Sequence, residues 1–494
     1  MRQRTRMIAL LLWAFVLSVS AQDLTHPRGA DSWQELIPPT TLKEDFASLY
    51  SGLKSAHADL FVHRSQQAYD DRFRQMMESF NQPVSRFEAQ LTFQRFVAFG
   101  KVAHARIDFP DQAYEVFRDA GGRTFPIYPR IVNGAAYVGE NYSGDPRIRG
   151  GDEIVAINGI AVADWLNRVA EHISADSPYI AHSLMEFTFP RDLWAVVGEV
   201  EQFLLKLRRG DQIVEITIDA SSRKAQRKAA AALDKRFSLS STDREFRMLD
   251  QNIGYLRPGP FYNSEQPDQP WNNTAFVAFV DQSFEQLIEQ NAKQLIIDLR
   301  ANPGGDNSFS DPMLAWIANR PFRFCSAFLI RSSDEAAASN LARLKQNPGA
   351  AESVSALFAK QYDKVPRGEV FDFEIPYSKP REGKQFTGEV FVLINRHSYS
   401  NAVNVAAIVQ DYKLGLIVGE KTSDMATTYG AMEQFSLPNT GFTVGFPKAH
   451  IIRPSGEPKS DGVTPDWVIA SSIVAPIRDQ MLETLVAKIK ANRG

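Results

Sequence analysis

Cysteine is almost missing from this chain: there is one, Cys325, in 494 residues. An intramolecular disulfide is therefore excluded, and so is any zinc site built on thiolates. Cys325 lies in the apolar run FRFCSAFLI, where a buried, inert thiol is expected. A basic surplus is lacking too. Lys plus Arg number 55 against 58 Asp plus Glu, a net charge of -3, so nothing general would displace counterions from nucleic acid or an anionic membrane. Beyond the N-terminus no apolar run reaches the roughly 20 residues that cross a bilayer. Aromatic residues are plentiful: 33 Phe, 14 Tyr and 7 Trp supply apolar surface for large cores. At about 150 residues per domain the length suggests two to four domains.

The first residues read as an export signal. Arg2, Arg4 and Arg6 precede an apolar run from Met7 to Val19, and small residues end at Ala21. That order of basic, apolar and small residues predicts cleavage after Ala21 and a mature protein that is periplasmic or secreted. From Thr41 the pattern turns helical, with Leu42, Phe46, Leu49 and Leu53 at three- and four-residue steps. Two further amphipathic stretches follow, around Tyr69–Phe80 and Phe87–Val102. Between about Thr124 and Ala220 short β-type runs are broken by Gly and Asn, and QFLLKLRRGDQIVEITID predicts a hairpin. From Asn252 onward short buried runs (IGYLRPGPF, KQLIIDLR, EVFVLINR, LGLIVGE) alternate with helical sequence, the signature of a mostly parallel sheet covered on both faces. The expected fold is α/β. Its expected divisions are a signal peptide over 1–21, a helical segment over 22–110, a β domain over 111–222 and an α/β domain over 223–494.

Open α/β sheets place their chemistry at the carboxyl ends of strands. After LIIDLRANP come Gly304 and Gly305, whose amides can approach an anion without a Cβ in the way. The spacing fits neither a P-loop nor G-x-G-x-x-G, so an oxyanion-type donor is expected rather than a nucleotide site. After VFVLINRHSY comes Ser400, at or beside the start of a helix beginning with Asn401, whose amide can meet developing negative charge. A serine there can equally be a plain helix cap, and Ser398 is a competing candidate. The loop RPSGEPKSDGVTPDW offers Glu457 and Asp461 as carboxylates able to orient a histidine, or simply forms a solvated turn. Of eight histidines, His104 sits at an element boundary from which it can project, whereas His397 is too close in sequence to Ser400 to aim its ring at that hydroxyl.

These windows occur in a familiar order. GYLRPGPF, LIIDLRANPGG, VFVLINRHSYSNA, LGLIVGEKTS and DGVTPD resemble the tail-specific, or C-terminal processing, serine peptidases and their tricorn-core relatives. The upstream GGDEIVAINGIAV resembles that family's PDZ domain. The resemblance implies crotonase/ClpP-like ββα units in the catalytic domain, with Ser400 as nucleophile and the Asn401 amide with the Gly304–Gly305 turn as oxyanion donors. The processing peptidases place a lysine base after VGE; here the matching position is close to Met425, and Lys421 comes too early. The tricorn-like branch uses a histidine after a helix, and GKVAHAR puts His104 there. Its supporting glutamate matches Lys459, flanked by Glu457 and Asp461. The resemblance thus implies an exported serine-type endopeptidase acting on peptide or unfolded protein. It needs no metal or cofactor, and its PDZ-like domain would recruit or gate the substrate. A homo-oligomer stays open.

Two other readings compete. One is a catalytically silent peptide-binding protein of the same fold. The other is a non-peptidase enzyme on a crotonase-like sheet, against which an export signal argues because coenzyme A substrates are intracellular.

Overall fold

The computed structural model describes residues 33–233, 236–346 and 354–491. The expected signal peptide lies outside them. Leu42, Phe46, Leu49 and Leu53 fall on one face of the Pro39–Ala56 helix and are fully buried, each contributing about 1.5–3 kcal/mol through burial. Phe46 meets Phe93 and Phe96 of the Arg86–Ala98 helix at ring separations of 5.3 and 4.7 Å. That helix starts on a capping box in which Ser85 and Glu88 satisfy each other's backbone amides. These helices do not close a core of their own. Phe46 and its neighbours share one with Phe328, Ile330, Val444, Phe446 and Ile451 from far along the chain.

Those late residues belong to a four-stranded antiparallel sheet in the order Val370–Asp372, Ala327–Arg331, Thr443–Ile452, Thr428–Ser436. Beside it runs a six-stranded sheet in the order Glu245–Met248, Ile253–Arg257, Gln294–Asp298, Glu389–Ile394, Leu416–Gly419, Trp467–Val468. All its pairings are parallel except the first. Its central strands are buried on both faces, as unbroken apolar runs require. One face packs on the helices Thr274–Glu289, Asn307–Ala315 and Asn401–Tyr412, and the other on the Gln480–Ala491 helix. The antiparallel sheet is the part that the expectation of a mostly parallel α/β domain did not include.

Residues 127–219 form a separate antiparallel sheet with its own core, into which the helices Val162–Ala170 and Pro178–Val197 pack. The expected hairpin is there, as Gln202–Arg209 paired with Gln212–Asp219. Among the described residues no helix is long and apolar enough to cross a membrane.

Candidate active site

The Glu389–Ile394 strand ends in a tight turn, and Ser400 follows it as the residue before the Asn401–Tyr412 helix. Its backbone sits at φ 50°, ψ −124°, a left-handed-side conformation that costs a non-glycine residue on the order of 1–3 kcal/mol. The capping alternative fails here: the Ser400 side chain makes no cap hydrogen bond. Ser398 is buried and committed, donating to the Leu299 carbonyl at 2.8 Å and accepting from the Asn395 amide. Ser400 instead lines a cavity of about 480 Å³ together with His104, Asn401 and Gly305.

His104 arrives from the other end of the chain. The Arg86–Ala98 helix stops, and the Ala103 amide is caught by Asp176 Oδ2 at 3.0 Å. Arg106 then pairs with Gly445 of the Thr443–Ile452 strand through two backbone hydrogen bonds of 2.9 and 2.8 Å. The imidazole is 6 % exposed, and no other histidine of the described residues lines the Ser400 cavity. His57 is buried elsewhere, its Nδ1 accepting from the Asp59 amide. His63 faces Asp176, and His450 stacks on Tyr429.

The two glycines divide their work. A Cβ on Gly304 would stand 2.6 Å from the Tyr399 carbonyl oxygen, 2.7 Å from the Asn401 nitrogen and 2.8 Å from Ser400 Cβ, so glycine is what lets this turn lie against the serine. Its own amide is spent on Asn302 Oδ1 at 2.8 Å. Gly304 is therefore a spacer and not the amide donor expected of it. Gly305 pairs with Phe261 across a single bridge made by the Phe261 and Asp306 amides. The Gly305 amide takes no part in that bridge, and Gly305 lines the cavity with Asn401, the first residue of the helix.

Asp461 and Glu457 do not join this group. Asp461 pairs with Lys421 at 2.6 Å, and its side chain is 46 % exposed; Glu457 is exposed and accepts from the Lys459 amide. Neither lines the cavity. The loop that carries them pairs with the chain around Met425 through Gly462, which is pressed against the Thr422 carbonyl. Lys421 is held at the surface by the same pair.

The carboxylate beside Ser400 and His104 is Asp424, which the sequence reading passed over. It is buried, accepts from the Ser400 amide at 2.5 Å and from the Met425 amide at 2.8 Å. It borders, with His104, a second cavity of about 240 Å³ behind the imidazole. Burial pushes its carboxyl above the usual range, and the neighbouring His104 and the two amides pull against that rise. A signal was available, for Asp424 is adjacent to Met425, the position matched to a lysine base.

Residues 252–469, which carry Ser400 and the glycine turn, match Peptidase family S41. The chain carries a family S41 peptidase domain. That domain is of a serine peptidase family. The fold of the whole chain is similar to the crystal structure of mature CPAF, with a TM-score of 0.59 at 16 % identity over 92 % of this chain and 96 % of that one. It is equally similar to mature CPAF complexed with lactacystin, with a TM-score of 0.58 at 16 % identity over 92 % and 98 %. At that identity the likeness is one of fold. A comparison with curated proteins finds no match. Among the described residues, no group of three or more His, Cys, Asp or Glu side chains of the S41 chain is arranged to hold a metal ion.

Proposed function

We infer that the protein is an exported serine endopeptidase with Ser400 as nucleophile, His104 as general base and Asp424 as the carboxylate that orients the imidazole. The observation that carries this reading is a strained serine, relieved of capping duty, on the wall of a cavity it shares with one buried histidine.

Ser400 Oγ adds to a peptide carbonyl as His104 takes its proton. The new oxyanion receives hydrogen bonds from the Asn401 and Gly305 amides, each donor lowering the barrier by about 3 kcal/mol. The C–N bond breaks as His104 returns the proton to the leaving amine, and water then releases the acyl group by the same sequence of transfers. Asp424 stabilises the imidazolium in both halves. Its burial strengthens that attraction, because little water screens it.

Endopeptidase action is supported by a cavity far larger than one side chain, walled by the antiparallel sheet and the segment after Gly305. A PDZ-like role for residues 111–222 rests on the GGDEIVAINGIAV sequence and on the separate antiparallel sheet of residues 127–219. Export rests on the Arg2-to-Ala21 pattern. A fluorophosphonate probe tests the core of this reading. Labelling that disappears in Ser400→Ala and persists in Ser398→Ala upholds it, while an unlabelled native protein, even with peptide present, leaves a silent peptide binder.

A further inference from the structure

The peptidase chemistry leaves unused a buried charged cluster between the Pro178–Val197 helix and the turn that carries Ser400. Glu186 of that helix accepts from the Ile131 amide at 2.8 Å, from Arg130 at 2.6 Å and from Arg396 at 3.0 Å, and faces His397 Nε2 at 3.0 Å. Arg396 reaches on to Glu420 at 2.7 Å and to the Ile131 carbonyl at 2.6 Å. One helical turn before Glu186, the Ser183 hydroxyl lies 2.9 Å from the Tyr399 hydroxyl and 2.8 Å from Ser423 Oγ. Ser423 in turn donates to the Arg396 carbonyl at 2.6 Å.

Sequence places make the cluster significant. Arg396, His397 and Tyr399 lead directly into Ser400, and Ser423 directly precedes Asp424. Two positions three apart on one helix face therefore grip both the nucleophile turn and the acid turn. Two glutamates and two arginines balance. Burial keeps the His397 ring below its usual range against the pull of Glu186, and its Nδ1 faces the Tyr399 hydroxyl at 3.3 Å. Desolvating such ions is costly, and well-packed apolar side chains of similar volume often hold a fold as stably. What the ions add is a fixed geometry. The strained backbone at Ser400 needs surroundings that over-determine it.

We propose that Glu186 is a positioning residue for the Ser400 reaction, acting through Arg396 and His397 to hold the nucleophile turn in its reactive conformation. The proposal deepens the Ser400–His104 reading and rests on it.

The test uses the full chain. Glu186→Gln keeps an acceptor for the Ile131 amide and removes the charge shared by Arg130 and Arg396; Ser183→Ala removes one hydroxyl and no charge. Per mole of folded protein, Glu186→Gln is expected to lower kcat on a quenched fluorescent peptide about tenfold or more, with KM within about twofold. Fluorophosphonate labelling of Ser400 slows by the same factor. Ser183→Ala shows the same kcat-only pattern more weakly, and Asp211→Asn, exposed in the hairpin turn, leaves both readouts unchanged. Native kcat and labelling rates per folded mole in both variants overturn the positioning role alone, provided the native protein is labelled. A native protein that is not labelled overturns the peptidase reading and the positioning role together.

Discussion

Gly304→Ala is the substitution on which the site geometry makes its sharpest demand. The added methyl would lie 2.6 Å from the Tyr399 carbonyl oxygen, 2.7 Å from the Asn401 nitrogen and 2.8 Å from Ser400 Cβ, where ordinary contact begins at 3.4 Å. All three atoms belong to the nucleophile turn. Relieving the overlap moves that turn or its neighbour by roughly 0.6–0.8 Å, and misplacements of this order cost about tenfold to hundredfold in rate. The backbone adds its own penalty, since φ at this position is +88° and a Cβ there costs roughly 1–2 kcal/mol of stability. Gly368→Ala separates the two effects. Its φ is +89°, and a Cβ there meets nothing within 4 Å, so it carries the conformational penalty without the collision. Peptide turnover and Ser400 labelling are to be measured alongside thermal midpoints for both variants. A larger stability loss in Gly304→Ala than in Gly368→Ala, with activity lost only in Gly304→Ala, is expected. Full labelling of Gly304→Ala at the native rate would refute the apposition of the glycine turn and the serine.

Other expectations follow from the same geometry. Asp424→Asn, which can still accept from the Ser400 amide, should lower kcat by on the order of a thousandfold while the protein stays folded; a loss under about threefold would remove Asp424 from its role. Lys421→Ala breaks only a surface pair with Asp461 and should leave turnover within about twofold, whereas His104→Ala should abolish it. Acid should destabilise the fold in two windows. Burial, with the charges of Arg331 and His63, pushes His57 down to about 3, so the unfolded chain binds the extra proton and stability falls as pH drops from 6.5 toward 3, by on the order of 4 kcal/mol. Glu433, held at about 2 by Lys448 and Arg343 although burial opposes them, removes further stability between pH 4.5 and 2. Urea midpoints across pH 7 to 3 check this, and His57→Asn should flatten the upper window.

Periodic signals were legible because burial imposes them. Leu42 to Leu53 announced a helix, and the apolar runs from Ile253 to Gly419 announced strands buried on both sides. The strand–turn–helix at Ser400 and the paired glycines were readable for a similar reason, since each needs a local backbone that few sequences serve. What stayed hidden depends on distant partners. Asp424 is a plain loop residue until folding sets its oxygen against the Ser400 amide. Asp461 and Glu457 are equally suitable by residue type, and only the folded chain, which leaves both off the cavity wall, removes them. Gly304 and Gly305 are alike in sequence, yet the Asn302 side chain takes the amide of the first. Glu186 gave no sign, because its neighbours come from far apart in the chain, Arg130 from the Ile127–Val132 strand and Arg396 from the turn after the Glu389–Ile394 strand.

The pairing of Arg106 with Gly445 ties an early stretch of polypeptide to one of the last strands to be synthesised. A ribosome emits the imidazole long before the partner that fixes its place, and the hydroxyl comes later than midway. A half-made chain consequently owns neither wall of the cleft in working order, so the proposed hydrolysis would wait for translation to be nearly finished.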